Sequence, residues 1–210
     1  QMAAAVAHEI NNPIAGIRNA FMLVKQAVDQ AHPHYEFVGM IDREISRVAS
    51  IVQNMYQLYR KETSKAVPVD LPLLLRDLEA LFEKRLSQLG LTLVATQVPL
   101  RTKLLVPQSD LLQVLVNLIQ NALDSSREGG RIRLNVCQDE GIVRIRVSDE
   151  GSGFSLDLLP HIFDPFFTTK TEKGQKGMGL GLSVSQSLVM AMGGRIEVQT
   201  ERGVGSTFSI

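Results

Sequence analysis

His8, Glu9 and Asn12 are the first side chains in the sequence whose types and spacing suit chemistry. They sit in the run Val6-Ala7-His8-Glu9-Ile10-Asn11-Asn12-Pro13-Ile14. Around them Val6, Ile10, Ile14, Ile17, Phe21, Val24 and Val28 recur every three or four positions, which predicts the apolar stripe of an amphipathic helix. His8 follows Val6 by two residues, roughly 200° around such a helix, and so lies off the stripe. Asn12 comes one turn later on the same outward face, with Glu9 alongside. An imidazole of ordinary pKa, ~6.5, is mostly neutral near pH 7 and can act as a nucleophile. A neighbouring carboxylate can orient it or take its proton. His-Glu-x-x also opens the zinc-protease pattern, but Asn12 stands where that pattern needs its second histidine. A lone surface histidine is ordinarily a solvated polar residue, so His8 needs support from the rest of the chain.

A second group of polar residues lies far along the sequence. Asn117 and Asn121, within Asn117-Leu118-Ile119-Gln120-Asn121-Ala122, share one face of a predicted helix between apolar neighbours. Buried amides without partners cost a few kcal/mol. A hydrated magnesium ion with phosphates is one way to satisfy them, since magnesium takes oxygen ligands and keeps waters; an Asn pair facing solvent is the other. Asp149-Glu150-Gly151-Ser152-Gly153 follows a predicted strand. Asp149 can accept from an exocyclic amine, and Gly151 and Gly153 allow main chain to approach a flat ligand, although the same pattern makes ordinary turns. Gly177-Met178-Gly179-Leu180-Gly181-Leu182 enters a helix, where exposed amides and the helix dipole favour phosphate. Between these pieces, Ile162-Phe163-Asp164-Pro165-Phe166-Phe167-Thr168-Thr169-Lys170 and a polar run to Lys176 suggest an aromatic hinge and a lid, with Lys170 or Lys176 facing phosphate. Phe163, Phe166 and Phe167 fit a plain core equally well. Gly203-Val204-Gly205-Ser206-Thr207 forms a last tight turn.

These residues need a scaffold, and the periodicity supplies one. The first helix is expected to run to about Gln30, kinked near Pro13, and to stop at Ala31-His32-Pro33-His34. A second follows on Phe37, Ile41, Ile45, Val48, Val52, Met55 and Tyr59, giving an antiparallel hairpin with a narrow seam. Two copies are expected to associate into a four-helix bundle, a homodimer through residues 1–62. Thr63 to Asp70 reads as a linker (63–69) or as the first strand of a second domain, 70–210. There Leu71 to Leu89 is helical and stopped by Gly90, and a further helix runs from a Ser109 cap to Ser126. Strands are predicted at Leu91–Val98, Thr102–Val106, Arg131–Gln138, Ile142–Ser148, Arg195–Thr200 and Gly203–Ile210, with a helix over Leu182–Met192. The expected fold class is α+β, a helical hairpin followed by an α/β sandwich.

Composition narrows the function classes. Lys plus Arg equals Asp plus Glu, 22 each, with no long run of one sign, so neither nucleic acid nor an anionic membrane is implied as partner. Cys137 is the single cysteine, which excludes an intramolecular disulfide and fits a reducing compartment, the cytoplasm; it reads as a buried strand thiol. No apolar run reaches the ~18 residues of a membrane span, and no signal peptide is visible. The sequence begins inside a helical pattern without an initiating Met, as expected for a piece of a longer protein, whose anchoring stays open. No Walker A loop or protein-kinase catalytic loop is present.

Taken together, the pieces resemble the catalytic core of a two-component sensor histidine kinase. His8-Glu9-Ile10-Asn11-Asn12-Pro13 is similar to the H box of the dimerisation and phosphotransfer hairpin. Residues from about 68 to 210 resemble the ATPase domain shared with gyrase, MutL and the ninety-kilodalton heat-shock chaperones. Asn117 to Asn121 matches the N box, Asp149 to Gly153 the first glycine box, and Phe163 to Phe167 the F box. Gly177 to Gly181 matches the second glycine box and Gly203 to Thr207 the third. Phe166-Phe167-Thr168-Thr169-Lys170 is similar to the nitrogen-regulation-like subgroup. Ser125-Ser126 departs from the pattern, because many members carry a Lys near that point. The resemblance implies ATP and Mg2+, the metal on Asn121. It implies nucleotide contacts at Asn117, Asp149, Gly151, Gly153, Phe163, Lys170, Gly177, Gly179, Leu180, Gly181 and Thr207. It further implies phosphorylation of His8 assisted by Glu9, transfer to an aspartate of a response regulator docking near His8, and a role for Asn12 in dephosphorylating that regulator. Two rival readings are an ATP-driven dimer clamp of the same ATPase class and a nucleotide-binding scaffold without histidine phosphorylation.

Overall fold

The computed structural model describes residues 2–59, 65–97, 104–169 and 178–210; the side chains of residues 2–9, 11, 53, 54, 56–59 and 97 fall outside it. The chain divides into two compact units, Gln1–Lys61 and Glu62–Ile210.

The first unit is a helical hairpin. Helix α1 (Met2–Ala27) is continuous through Pro13, whose missing N–H does not end it, and α2 (Tyr35–Tyr59) returns after a turn at Val28–His34. Lys25, near the end of α1, pairs with Asp42, near the start of α2, at 2.6 Å, so the two helices run antiparallel. That carboxylate raises the Lys25 pKa. Among the described residues of this unit only Val38 is buried; Ile10, Ile17, Leu23, Val24, Phe37, Ile41, Val48 and Met55 are exposed.

The second unit is an α/β sandwich. Thr63 to Asp70 offered two readings, and the strand applies at Val67–Pro68 (β1), which pairs antiparallel with β3 (Leu105–Val106). Helix α3 (Leu71–Leu89) starts on Asp70, whose side chain accepts from the Leu73 N–H at 3.0 Å, and stops at left-handed Gly90. Strand β2 (Thr92–Gln97), helix α4 (Gln108–Ser125) and strands β4 (Arg131–Asp139) and β5 (Ile142–Asp149) follow. Helix α4 begins at Pro107, not at a Ser109 cap: Ser109 lies in its first turn and bonds Asp110. Proline fits a helix start because its missing N–H would be unpaired there anyway. After a 3-10 turn at Leu156–Leu158 come α5 (Gly181–Ala191), β6 (Glu197–Glu201) and β7 (Gly205–Ser209).

Five strands form one sheet in the order β2-β4-β5-β7-β6, with β2 parallel to β4 and the other pairs antiparallel. Strict alternation gives it one core face, carrying Ile132, Leu134, Val136, Ile145, Val147 and Phe208, and one polar face carrying Arg131, Arg133, Asn135, Arg144 and Arg146. Helices α3 and α4 cover the core face, α5 packs on α4, and Leu71, Leu74, Leu78, Leu115, Leu118 and Ile119 fill the layer between. Cys137 is half-buried and shares the polar face with Asn135, which corrects its reading as a buried thiol.

Candidate functional site

The core face of the sheet carries one acid at its end. Asp149 closes β5, only 8% exposed, and pairs in register with Ser206 of β7. Its Oδ1 accepts from the Gly151 N–H at 2.9 Å and from the Ser125 hydroxyl at 3.2 Å, and the carboxylate also accepts from the Ser206 N–H. Burial pushes the Asp149 pKa above its ordinary 3.8, while these three donors pull it back. Glu150, next in sequence, behaves oppositely: Arg133, bonded to it at 2.5 Å, and Arg131 hold its pKa below the usual carboxylate range. One residue of strand alternation separates a buried carboxylate from a surface ion pair.

Sequence reasoning missed two of the three donors. Ser206 lies beside Asp149, whereas Thr207 alternates to the other face and donates to the Ser148 hydroxyl at 2.9 Å. Thr207, expected at the nucleotide, thus takes part in a cross-strand pair, and Ser206 is the β7 residue that meets Asp149. In the sequence Ser125 stands out only as a departure from the family pattern; nothing there marks it as the partner of a residue 24 positions away.

The two Asn residues of α4 divide as well. Asn117 Nδ2 donates to the Gly181 carbonyl oxygen at 3.3 Å and to the Ser185 hydroxyl at 3.4 Å, and that hydroxyl donates to Gly181 O at 2.9 Å. Its amide N–H groups thus find two acceptors in the first turn of α5. Asn121 is half-buried one turn later, and its main-chain oxygen accepts from Ser125 Oγ at 3.0 Å. Asn117, Asn121 and Ser125, spaced by four, make one polar stripe along α4.

The glycines also separate by physical cause. A Cβ at Gly151 would collide with the Ser125 carbonyl and the Asp149 carboxylate, one at Gly153 with Glu201, and one at Gly179 with the main chain of Phe166 and Phe167. Those three give room to the protein's own atoms. Gly181 differs: a Cβ there meets only Asn117 Cγ at 3.8 Å, an ordinary contact. It opens α5 with no side-chain cap, and the preceding Leu180 is fully buried. The first amides of a helix have no intrahelical acceptor, so this end suits an anion.

Phe163 is half-buried, and Phe166 adopts a left-handed φ of 67° and is 62% exposed as a residue. Phe167 lies against His161, ring centroids 6.0 Å apart, and His161 Nδ1 is 2.9 Å from Asp164 Oδ2. Lys170 and Gly177 lie outside the described residues. His8 and Glu9 lie on α1, their side chains outside the described ones; Asn12 is exposed.

Comparison with known proteins decides the family. The description "Histidine kinase-, DNA gyrase B-, and HSP90-like ATPase" matches residues 107–210, and "His Kinase A (phospho-acceptor) domain" matches residues 1–64. The chain belongs to the histidine kinases. Curated histidine kinase relatives include Sporulation kinase A of Bacillus subtilis (strain 168), 31% identical over 211 residues, covering 100% of this chain and 34% of that protein. The signal transduction histidine-protein kinase AtoS of Escherichia coli (strain K12) is 30% identical, again over 100% of this chain and 34% of its own. The chain thus spans about a third of the length of these relatives. Among solved histidine kinases, full-length ShkA in complex with AMPPNP superposes with a TM-score of 0.85 at 28% identity, covering 99% of this chain and 44% of that one. The histidine kinase ThkA in complex with response regulator protein TrrA gives a TM-score of 0.69 at 28% identity, covering 99% and 59%.

Proposed function

We propose that this chain is an ATP-dependent protein-histidine kinase core that phosphorylates His8 and passes the group to an aspartate of a response regulator. Residues 1–62 form the dimerising phosphotransfer hairpin, 63–69 the linker, whose last residues pair as β1 with the second unit, and 70–210 the rest of the ATP-binding domain. The observation that carries the nucleotide half is the polar stripe on α4. Asn117 holds the start of α5, and Ser125 reaches the buried Asp149, so one helix joins an anion-ready helix end to an acid able to read an amine. ATP has a triphosphate at one end and an exocyclic amine at the other. The relative ShkA was solved with AMPPNP, which supports the same reading here.

In the proposed reaction the neutral His8 nitrogen attacks the γ-phosphorus, and the bond from that phosphorus to the ADP oxygen breaks. ADP leaves with the electron pair, and Glu9 takes or orients the proton on the opposite ring nitrogen. Asp149 accepts the base amine, the amides at Gly181 bind phosphate with Gly179 and Leu180 setting the turn, and Phe163, Lys170 and Gly177 complete the nucleotide contacts. The Asn121 amide oxygen is a hard donor of the kind magnesium takes, and Asn121 would hold Mg2+ at the phosphate end of the site. Bound there, Mg2+ would neutralise charge on the phosphate oxygens. A receiver carboxylate then attacks the phosphorus and the N–P bond breaks, returning its electrons to His8. Asn12 orients water in the reverse, dephosphorylating direction. ThkA was solved with a response regulator, which supports a receiver domain as the partner.

The exposed apolar residues of α1 and α2 support a homodimer, since a hairpin with one buried described residue has most of its seam still to cover. None of the described helices is long and apolar enough to cross a membrane, and the ATP requirement and single cysteine fit a cytoplasmic core whose parent protein is membrane-anchored or not. Incubation with γ-labelled ATP and Mg2+ tests the reading. Acid-labile label on the chain that moves to a receiver domain supports it. ATP turnover without label supports the clamp, and neither event supports a scaffold.

A further inference from the structure

We infer that Ser125 is a positioning residue that aims the Asp149 carboxylate at the nucleobase, and so takes part in choosing adenine; this rests on the proposed reading of Asp149 as the base contact.

The Ser125 hydroxyl has one proton and three acceptors in reach: Asn121 O at 3.0 Å, Ala122 O at 3.1 Å and Asp149 Oδ1 at 3.2 Å. Ala122 O is already taken by the Ser126 N–H at 3.0 Å and the Ser126 hydroxyl at 2.7 Å. The carboxylate is the strongest acceptor of the three, so Ser125 shares its proton between Asn121 O and Asp149 Oδ1. The main chain reinforces this contact. Ser125 O accepts from the Ser152 N–H at 3.1 Å, and a side chain at Gly151 would strike both Ser125 O and Asp149 Oδ1. The loop after β5 is therefore clamped to the last turn of α4, with Gly151 N–H and Ser125 Oγ both held on Oδ1. Two donors on one oxygen stop the carboxyl group from turning. A fixed, ionised carboxylate accepts the 6-amino group of adenine and opposes the 6-carbonyl of guanine, which has no hydrogen to donate. Ser125 also extends the stripe of Asn117 and Asn121, so base and phosphate ends are referenced to one rigid helix.

The test uses the whole chain with ATP and GTP in the presence of Mg2+, and four forms: parent, Ser125→Ala, Asp149→Asn and the double variant. Ser125→Ala removes a hydrogen bond to a charged group and is expected to raise Kd and KM for ATP roughly fivefold to tenfold. It should leave kcat within about twofold, the pattern for a contact made equally in the ground and transition states. It should also lower the preference for ATP over GTP, and should add nothing in the Asp149→Asn background. Equal weakening by Ser125→Ala in both backgrounds would mean that the serine acts through helix packing, and would overturn the inference. Unchanged ATP affinity in Ser125→Ala, with affinity lost in Asp149→Asn, would also overturn it while leaving the base contact standing. Unchanged affinity in Asp149→Asn would remove the underlying reading of Asp149 and the inference with it.

Discussion

Asn117 Nδ2 lies 3.3 Å from the Gly181 main-chain oxygen, so a side chain in the middle of α4 grips the first residue of α5. The N box thereby sets the end of the helix that the second glycine box opens. Asn117→Ala removes that grip and leaves the Ser185 hydroxyl on Gly181 alone. A net loss of about 1 kcal/mol, seen as a melting point lower by about 2–4 °C, is expected. ATP affinity should fall by about tenfold, because a tilted helix end costs a phosphate contact of charge-assisted strength. Calorimetry and nucleotide titration on the same preparation check both.

Gly179 and Gly181 are expected to fail differently. Gly179 has φ +66° and backs onto the main chain of Phe166 and Phe167, so Gly179→Ala adds strain and a collision and should destabilise the domain by about 1–3 kcal/mol. Gly181→Ala meets only Asn117 and sits in a helix, where alanine is favoured by up to about 1 kcal/mol. It should fold at least as well as the parent yet bind ATP more weakly, since the added methyl group crowds the amide end. Melting curves and ATP titrations of both variants separate a glycine kept for the fold from one kept for the ligand.

Asp149 makes a prediction of sign. Its folded pKa is raised above 3.8 by burial, so its contribution to stability is full below pH 3.8 and is lost as pH rises through the folded value. At neutral pH the ionised group therefore opposes folding. Asp149→Asn is expected to melt higher at pH 7.5, with the gain shrinking as pH falls toward 3.8, and to bind ATP at least tenfold more weakly. A variant that is more stable but less able to bind separates function from fold; one less stable at pH 7.5 contradicts the assignment of burial as the main cause.

Asn12 is exposed on α1, one turn beyond His8. Asn12→Ala should slow dephosphorylation of the response regulator on the order of tenfold or more, the scale of losing one group that orients water, and slow labelling of His8 far less. Separate assays with phosphorylated regulator and with labelled ATP check the ratio. Equal effects on both would remove the assignment.

The elements were legible in the sequence wherever one local rule decided them. Asp70 and Gly90 bracket α3 because capping and a left-handed stop act within one turn. Period-2 runs marked β4 and β5, and the hydrophobic stripes marked both hairpin helices. The site was legible only as a set of residue types. Which β7 residue sits opposite Asp149 depends on the β5–β7 register, and one residue of alternation separates Ser206 from Thr207. The protein partners of Asn117, Gly181 and Ser185, were not legible because they lie more than sixty positions away. Cys137 suggested a core thiol from its apolar neighbours, but the face it joins is fixed by the pairing of the whole sheet.

The most direct test of the central claim compares the parent chain with His8→Gln after incubation with γ-labelled ATP and Mg2+, mapping the label by peptide mass spectrometry. The expected result is one acid-labile phosphoryl group on the peptide holding His8 in the parent and none in the variant, with ATP affinity equal in both. Label that persists in His8→Gln, or a parent that binds ATP and never acquires label, would contradict the account.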